Sequence, residues 1–177
     1  MPEYRRNRVP GGTFFFTVNL FDRRSDLLVR HIDALREAVR RARLRAPFRI
    51  DAWVVLPDHV HCLWTLPEGD AAFPGRWRAI KTAFSKSLPK GEPRSPVMTR
   101  RGERGIWQRR YWEHTIRDDR DFAAHMDYTH FNPVKHGLVE HPADWPHSSF
   151  RRCVAAGLYP NGLAGSGAEP QATGERR

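Results

Sequence analysis

Hydrophobic positions along the chain alternate between two periods. Residues 13–20 (TFFFTVNL) follow two glycines and are dense in aromatic and β-branched side chains, which predicts a first strand. Over 29–45, Ile32, Leu35, Val39 and Leu44 recur near helical spacing with arginines opposite them, so an amphipathic basic helix is expected. A second strand runs from Phe48 through Ile50, Trp53, Val54, Val55 and Leu56 to a short turn at Pro57 and Asp58. Residues 59–66 (HVHCLWTL) predict a third strand, and 73–88 a second helix with Trp77, Ile80, Ala83 and Phe84 as its apolar stripe. Residues 89–105 are rich in Pro, Gly and Arg, have no period, and read as an exposed loop. The stretch 106–116 is extended and aromatic in character. A third helix starts after Asp118 or Asp119, either of which suits an N-cap. It ends near Asn132, because Pro133 disfavours helical geometry in the residue before it.

The order β-α-β-β-α-β-α matches an α+β fold of the ferredoxin-like or RRM-like kind, an antiparallel sheet with helices on one face. The last helix is then an addition on the C-terminal side. Of the 177 residues, 1–160 read as one domain, with Trp145 and Phe150 docking its C-terminal segment. Residues 161–177 are rich in Gly and Ala, with Pro and Glu among them, have no apolar pattern and read as a disordered tail.

Composition narrows the function. At 40% hydrophobic and 11% aromatic residues the chain can build a core. Lysine and arginine total 30 against 20 acidic residues, a formal charge of +10, which points to a polyanionic partner. No run approaches the ~18 consecutive apolar residues of a spanning helix, and the basic start has no apolar signal core behind it. A cytoplasmic, nucleoid-associated protein is therefore expected, with no membrane partner. Cys62 and Cys153 are too few for a disulfide framework or a zinc knuckle and read as reduced thiols.

Chemistry concentrates in two segments. Along the third strand Val60, Cys62, Trp64 and Leu66 share one face, so His59 and His61 project together from the other. Two imidazoles at that spacing can approach one metal ion. On the third helix Tyr128 and Asn132 stand one turn apart on one face, with His125 near it. Tyr128 offers a phenol that can attack phosphorus, and Asn132 a carbonyl oxygen suited to a hard cation.

These segments resemble a known family. Residues 56–61 (LPDHVH) look like the His-hydrophobic-His motif of rolling-circle and insertion-sequence enzymes. Residues 128–139 (YTHFNPVKHGLV) resemble the tyrosine-helix signature of REP-associated tyrosine transposases. Residues 12–19 (GTFFFTVN), 106–108 (IWQ) and 144–150 (DWPHSSF) match the same family in the same order, so the likeness spans nearly the whole folded part. Thr129 departs from it, since relatives more often carry an aliphatic residue there, but it is not a ligand.

The resemblance implies that His59, His61 and Asn132 hold one divalent cation, Mg²⁺ or Mn²⁺, and that Tyr128 is the nucleophile. The product would be a 5′-phosphotyrosine and a free 3′-hydroxyl, which permits rejoining as well as cutting. His125 is then a second-layer residue. The implied substrate is single-stranded DNA beside imperfect palindromic hairpins, handled by a monomer or a homodimer. Candidate DNA contacts are Tyr4, Arg5, Arg6 and Arg8 near the start, Arg78, Lys81 and Lys86 on the second helix, and Arg109 and Arg110. Two other readings stay open on the residues: a non-catalytic hairpin DNA- or RNA-binding module, and a metal hydrolase whose cutting would not need Tyr128.

Overall fold

A computed structural model of the chain describes residues 7–159. Tyr4, Arg5, Arg6 and the tail expected from 161 onward lie outside the described residues. The elements are β1 (Thr13–Asn19), α1 (Leu27–Arg30), α2 (Ile32–Arg45), β2 (Arg49–Val55), β3 (His59–Thr65), α3 (Phe73–Ser87), α4 (Pro96–Arg100), β4 (Trp112–Thr115), α5 (Asp119–Lys135) and α6 (Phe150–Ala155), with a 3₁₀ turn at Pro142–Asp144. The four strands form one antiparallel sheet in the order β2-β3-β1-β4, the ferredoxin-like arrangement. Among the described residues no helix is long and apolar enough to cross a membrane.

Strand alternation sorts the side chains. Phe14, Phe16 and Val18 of β1 join Val60, Cys62 and Trp64 of β3 beneath α2 and α3, where Trp77, Ile80 and Phe84 complete the main core. Phe15, Ala52 and Leu63 point the other way, and α5 and α6 cover them with Met126, Tyr128, Phe150 and Cys153. The added helix thus closes the face that periodicity alone leaves open. His59 and His61 lie beneath it, 4% and 1% exposed.

Two expectations change. Helix α5 does not stop at Asn132: it runs through Pro133 to Lys135. Pro133 forfeits one backbone bond, but Asn132 and Pro133 are both buried, so tertiary packing holds the turn. The N-cap is Asp118, whose carboxylate accepts the backbone N–H of Asp121 at 2.8 Å. The 89–105 segment is also more ordered than its composition predicts. Ser95 caps α4 by accepting the Met98 N–H, and the Arg104 guanidinium binds Glu92 and the carbonyls of Ser85 and Leu88.

The C-terminal segment is docked as expected of Trp145 and Phe150. Trp145 Nε1 donates to the Val55 carbonyl at 2.9 Å, and Phe150 is buried in the second core. Residues 147–149 extend the β2 edge, with Val55 N–H donating to His147 O and Ser149 N–H to Trp53 O, each at 2.8 Å. His130 ties this segment to α5 through Ser149 Oγ (2.8 Å) and Tyr159 OH (3.0 Å).

Candidate active site

The β1–β3 register sets Thr17 opposite His61 and Asn19 opposite His59. His61 Nδ1 lies 2.9 Å from Thr17 Oγ1, and His59 Nδ1 lies 2.7 Å from Asp58 Oδ1. Asp58 is itself held by Arg23 Nε at 2.5 Å. Each imidazole therefore has its Nδ1 engaged, and no hydrogen bond to a described residue occupies either Nε2. This is the outer-layer arrangement that orients histidines for a metal. The two rings sit 4.8 Å apart between centroids. Burial, then the neighbouring His59 and His136, keeps His61 well below the ordinary imidazole range, so it is neutral. Burial alone would raise the Asp58 carboxyl, but the hydrogen bonds from His59 and Arg23 bring it below its usual value.

Helix α5 lies across this pair. The Tyr128 ring meets His61 edge-on at 5.1 Å. Two turns on, the His136 ring meets His59 at 5.3 Å. Asn132 falls between those contacts on the same helix face. It is 1% exposed, and among the described residues neither its Oδ1 nor its Nδ2 has a hydrogen-bond partner. A buried carboxamide with both ends unmatched is costly and calls for a ligand. The predicted quartet of His59, His61, Tyr128 and Asn132 is thus gathered between β3 and α5.

Lys135 and His136 were not among the predicted site residues. Lys135 Nζ stands 5.2 Å from the Tyr128 ring centroid. Both residues follow Tyr128 by about two turns, and their recurrence at helical spacing is a usable signal, hidden by the expectation that the helix ends near Asn132. Asn19 is a further addition: its buried Oδ1 lacks a partner among the described residues and its register places it beside His59.

His125 turns elsewhere. Its Nδ1 lies 2.8 Å from the Asp121 carbonyl, and its ring stacks on His114 at 4.7 Å. His114, Asp121 and His125 form a second cluster whose ligand atoms lie within 4.8 Å of one another, close enough to seat a cation. Here the Asp121 carboxylate already accepts His114 Nε2 (2.8 Å) and the Arg117 backbone N–H (3.0 Å). Burial would raise that carboxyl, but these hydrogen bonds hold it at about 2. The cluster clamps the first turn of α5 to β4. Phe15 separates it from the histidine pair, touching His125 on one side and His61 and Tyr128 on the other.

A REP-associated tyrosine transposase of Escherichia coli (strain K12) is 50% identical over 165 residues, spanning 93% of this chain and 92% of that protein. The chain belongs to the REP-associated tyrosine transposase family. A Haemophilus influenzae protein assigned to the same family is 46% identical over 168 residues, spanning 94% of this chain and 95% of its own. A solved structure of a REP-associated tyrosine transposase bound to a REP hairpin has a TM-score of 0.83 at 47% identity, covering 100% of this chain and 98% of that one. No protein-family model matches the chain.

The expected DNA-contact residues of this family member are scattered. Arg8, Arg78, Lys86 and Arg110 are exposed. Arg109 is exposed and pairs with Glu103 at 3.0 Å. Lys81 is drawn inward: its Nζ donates to Gln108 O at 3.0 Å and sits 5.2 Å from the Tyr111 ring centroid. That engagement gives Lys81 a structural task, tying α3 to the segment before β4.

Proposed function

We propose that this tyrosine transposase cuts and rejoins single-stranded DNA beside palindromic REP-type hairpins through Tyr128. The observation that carries the reading is the convergence on β3: Tyr128 over His61, His136 over His59, and between them the unmatched amide of Asn132. The donor set fits a divalent cation: two neighbouring imidazoles anchored through Nδ1, and on the helix packed over them a buried amide oxygen with no partner among the described residues. His59, His61 and Asn132 would hold Mg²⁺ or Mn²⁺, which when bound supplies charge neutralisation at a non-bridging oxygen of the scissile phosphate.

The chain's own groups do the rest. The Tyr128 oxygen attacks phosphorus and loses its proton, the bond from phosphorus to the 3′-oxygen breaks, and that oxygen takes up a proton to leave a 3′-hydroxyl. DNA stays attached through a 5′-phosphotyrosine. A phenol with an ordinary pKa of about 10 is mostly protonated at neutral pH. The Lys135 ammonium beside the ring favours charge on the phenolic oxygen as the bond forms. Arg23 and Asp58 keep His59 in one tautomer and orientation, and Thr17 does the same for His61. A second strand's 3′-hydroxyl reverses the attack and seals a new junction. The charge of +10 supplies the salt-sensitive attraction to the strand.

The test is incubation with labelled hairpin oligonucleotides carrying single-stranded flanks, with Mg²⁺ or Mn²⁺, followed by denaturing electrophoresis. A covalent protein–DNA adduct is expected, absent in Tyr128→Phe and in His59→Ala. Cutting that survives Tyr128→Phe would replace this reading with a hydrolase using activated water. Tight binding with no adduct on any flank would make the protein a hairpin-binding module.

A further inference from the structure

A cleft of about 570 Å³ opens between α2, the β2 edge and the 146–149 segment. It runs along the β2 edge of the sheet, with α2 on one wall and the 146–149 segment and α6 on the other, and none of His59, His61, Tyr128 or Asn132 lines it. Its floor is apolar, with Ile32, Val39, Phe48 and the half-buried Trp53. Its rim carries Arg36, Arg40 and Arg43 from one face of α2 and Arg152 from α6. No acidic side chain lines the cleft among the described residues.

The four guanidiniums are not all neutralised. Arg36 pairs with Asp33 and Arg40 with Glu37 along the exposed helix. Arg43 Nε donates to the Phe48 carbonyl at 3.1 Å and Arg152 Nη2 to the Ile50 carbonyl at 2.9 Å. Those acceptors are backbone carbonyls rather than carboxylates, so neither guanidinium spends its contact on an acidic side chain. His147 adds to the same wall a buried Nδ1 with no hydrogen-bond partner among the described residues. Leu44, 70% exposed, extends the apolar lip.

An apolar floor with an indole on it, ringed by like charges, suits a polyanion whose units also carry flat apolar faces. An unpaired DNA strand has both properties: phosphates for the arginines and free base faces for the aromatic ring. Duplex DNA hides those faces in its stack, and an acidic peptide has few to offer. We propose that this cleft is a second DNA-binding site, which holds unpaired nucleotides flanking the hairpin. Their phosphates lie on Arg36, Arg40, Arg43 and Arg152, and a base lies against Trp53. The inference rests on the reading that the protein acts on single-stranded DNA, but it concerns binding at the β2 edge, in a cleft that none of the proposed catalytic or metal-holding residues lines.

Fluorescence anisotropy on the full chain tests it, with a labelled hairpin bearing a 12-nucleotide unpaired flank and the same hairpin without one, across a salt series. The triple variant Arg36→Gln, Arg40→Gln, Arg43→Gln keeps good helix formers on α2. It is expected to bind the flanked probe at least tenfold more weakly, with the log–log salt slope reduced by about 2, at roughly 0.7 per lost single-strand phosphate contact. Trp53→Leu, which leaves the charges in place, is expected to weaken flanked-probe binding at least fivefold without changing the slope. Thermal midpoints within a few degrees of wild type confirm that both variants fold. Wild-type affinity and slope in the triple variant overturn the proposal, as does an equal loss on the flankless hairpin, which would put these arginines on duplex. Unchanged DNA binding with an altered sedimentation coefficient would reassign the cleft to contact between copies of this chain. If the flank binds through the cleft but wild type forms no adduct, the cleft stands and the nuclease reading falls.

Discussion

The two faces of the sheet are built from alternate residues of the same strands, yet they obey different rules. On the α2–α3 side, Phe14, Phe16, Val18, Val60, Cys62 and Trp64 fill a core in which aromatic rings pack on one another. On the α5 side, the neighbours of those residues are the half-buried Asn19 and the buried Phe15, Thr17, His59 and His61, beneath a helix that brings Tyr128 and Asn132. The first face has unmatched polar atoms too, the indole N–H groups of Trp64 and Trp77. Those belong to large rings that gain from burial regardless. The Asn132 carboxamide has little apolar surface to gain by being buried, so its unmatched ends stand as a net cost to folding. A period of two residues thus lets one strand carry stability on one side and chemistry on the other.

The largest effect that would break this division is expected on the apolar face. Phe16 is fully buried against Trp64, Phe73 and Trp77. Phe16→Ala should cost about 3–5 kcal/mol of unfolding free energy, read by urea denaturation. Adduct yield per folded molecule should stay at the wild-type level, because Phe16 touches none of the site residues. A variant of near-native stability with no adduct would show that the two faces are mechanically coupled.

The alternation that creates this division was legible in the sequence, because His59 and His61 interrupt one side of an otherwise apolar period-two run. Tyr128 and Asn132 were legible through helical spacing and through the family motif around them. The cover on the histidine face was not, since the burial of α5 depends on long-range packing that no local period encodes. Lys135 and His136 were hidden by a local rule, the proline rule, that tertiary burial of Asn132 and Pro133 overrides. Arg104 escaped notice for another reason: its partners are mostly backbone carbonyls, which leave no mark in a sequence.

The polar side should also be the pH-sensitive side. Burial, then the nearby Arg152, lowers His130 to about 3, while an unfolded histidine titrates at about 6.5. Between those values the unfolded chain binds more protons than the folded one, so stability rises with pH and falls on acidification. The loss should begin as pH drops below about 6.5, reach at most ~1.4 kcal/mol per pH unit for this one group, and level off near 3. Urea midpoints of wild type and His130→Gln between pH 7 and 4.5 measure it. The variant should be the less stable at pH 7, because the contacts to Ser149 and Tyr159 are altered, but should show a shallower slope. Parallel slopes would place the acid sensitivity elsewhere, and the comparison of faces would lose its electrostatic half.

The smallest expected effect is also the most discriminating, because its sign is unusual. Replacing Asn132 by leucine, of similar length, removes a buried amide that has no partner among the described residues and adds apolar surface in its place. Folding stability should rise by about 1 kcal/mol. Binding of Mn²⁺, followed by titration calorimetry, should weaken at least tenfold, and adduct formation should fall with it. A core asparagine serving only structure would show the reverse: lower stability and unchanged metal binding. Stability gained with function lost is the signature of a residue kept for a ligand, and it would place the unmatched amide on the chemical side of the sheet.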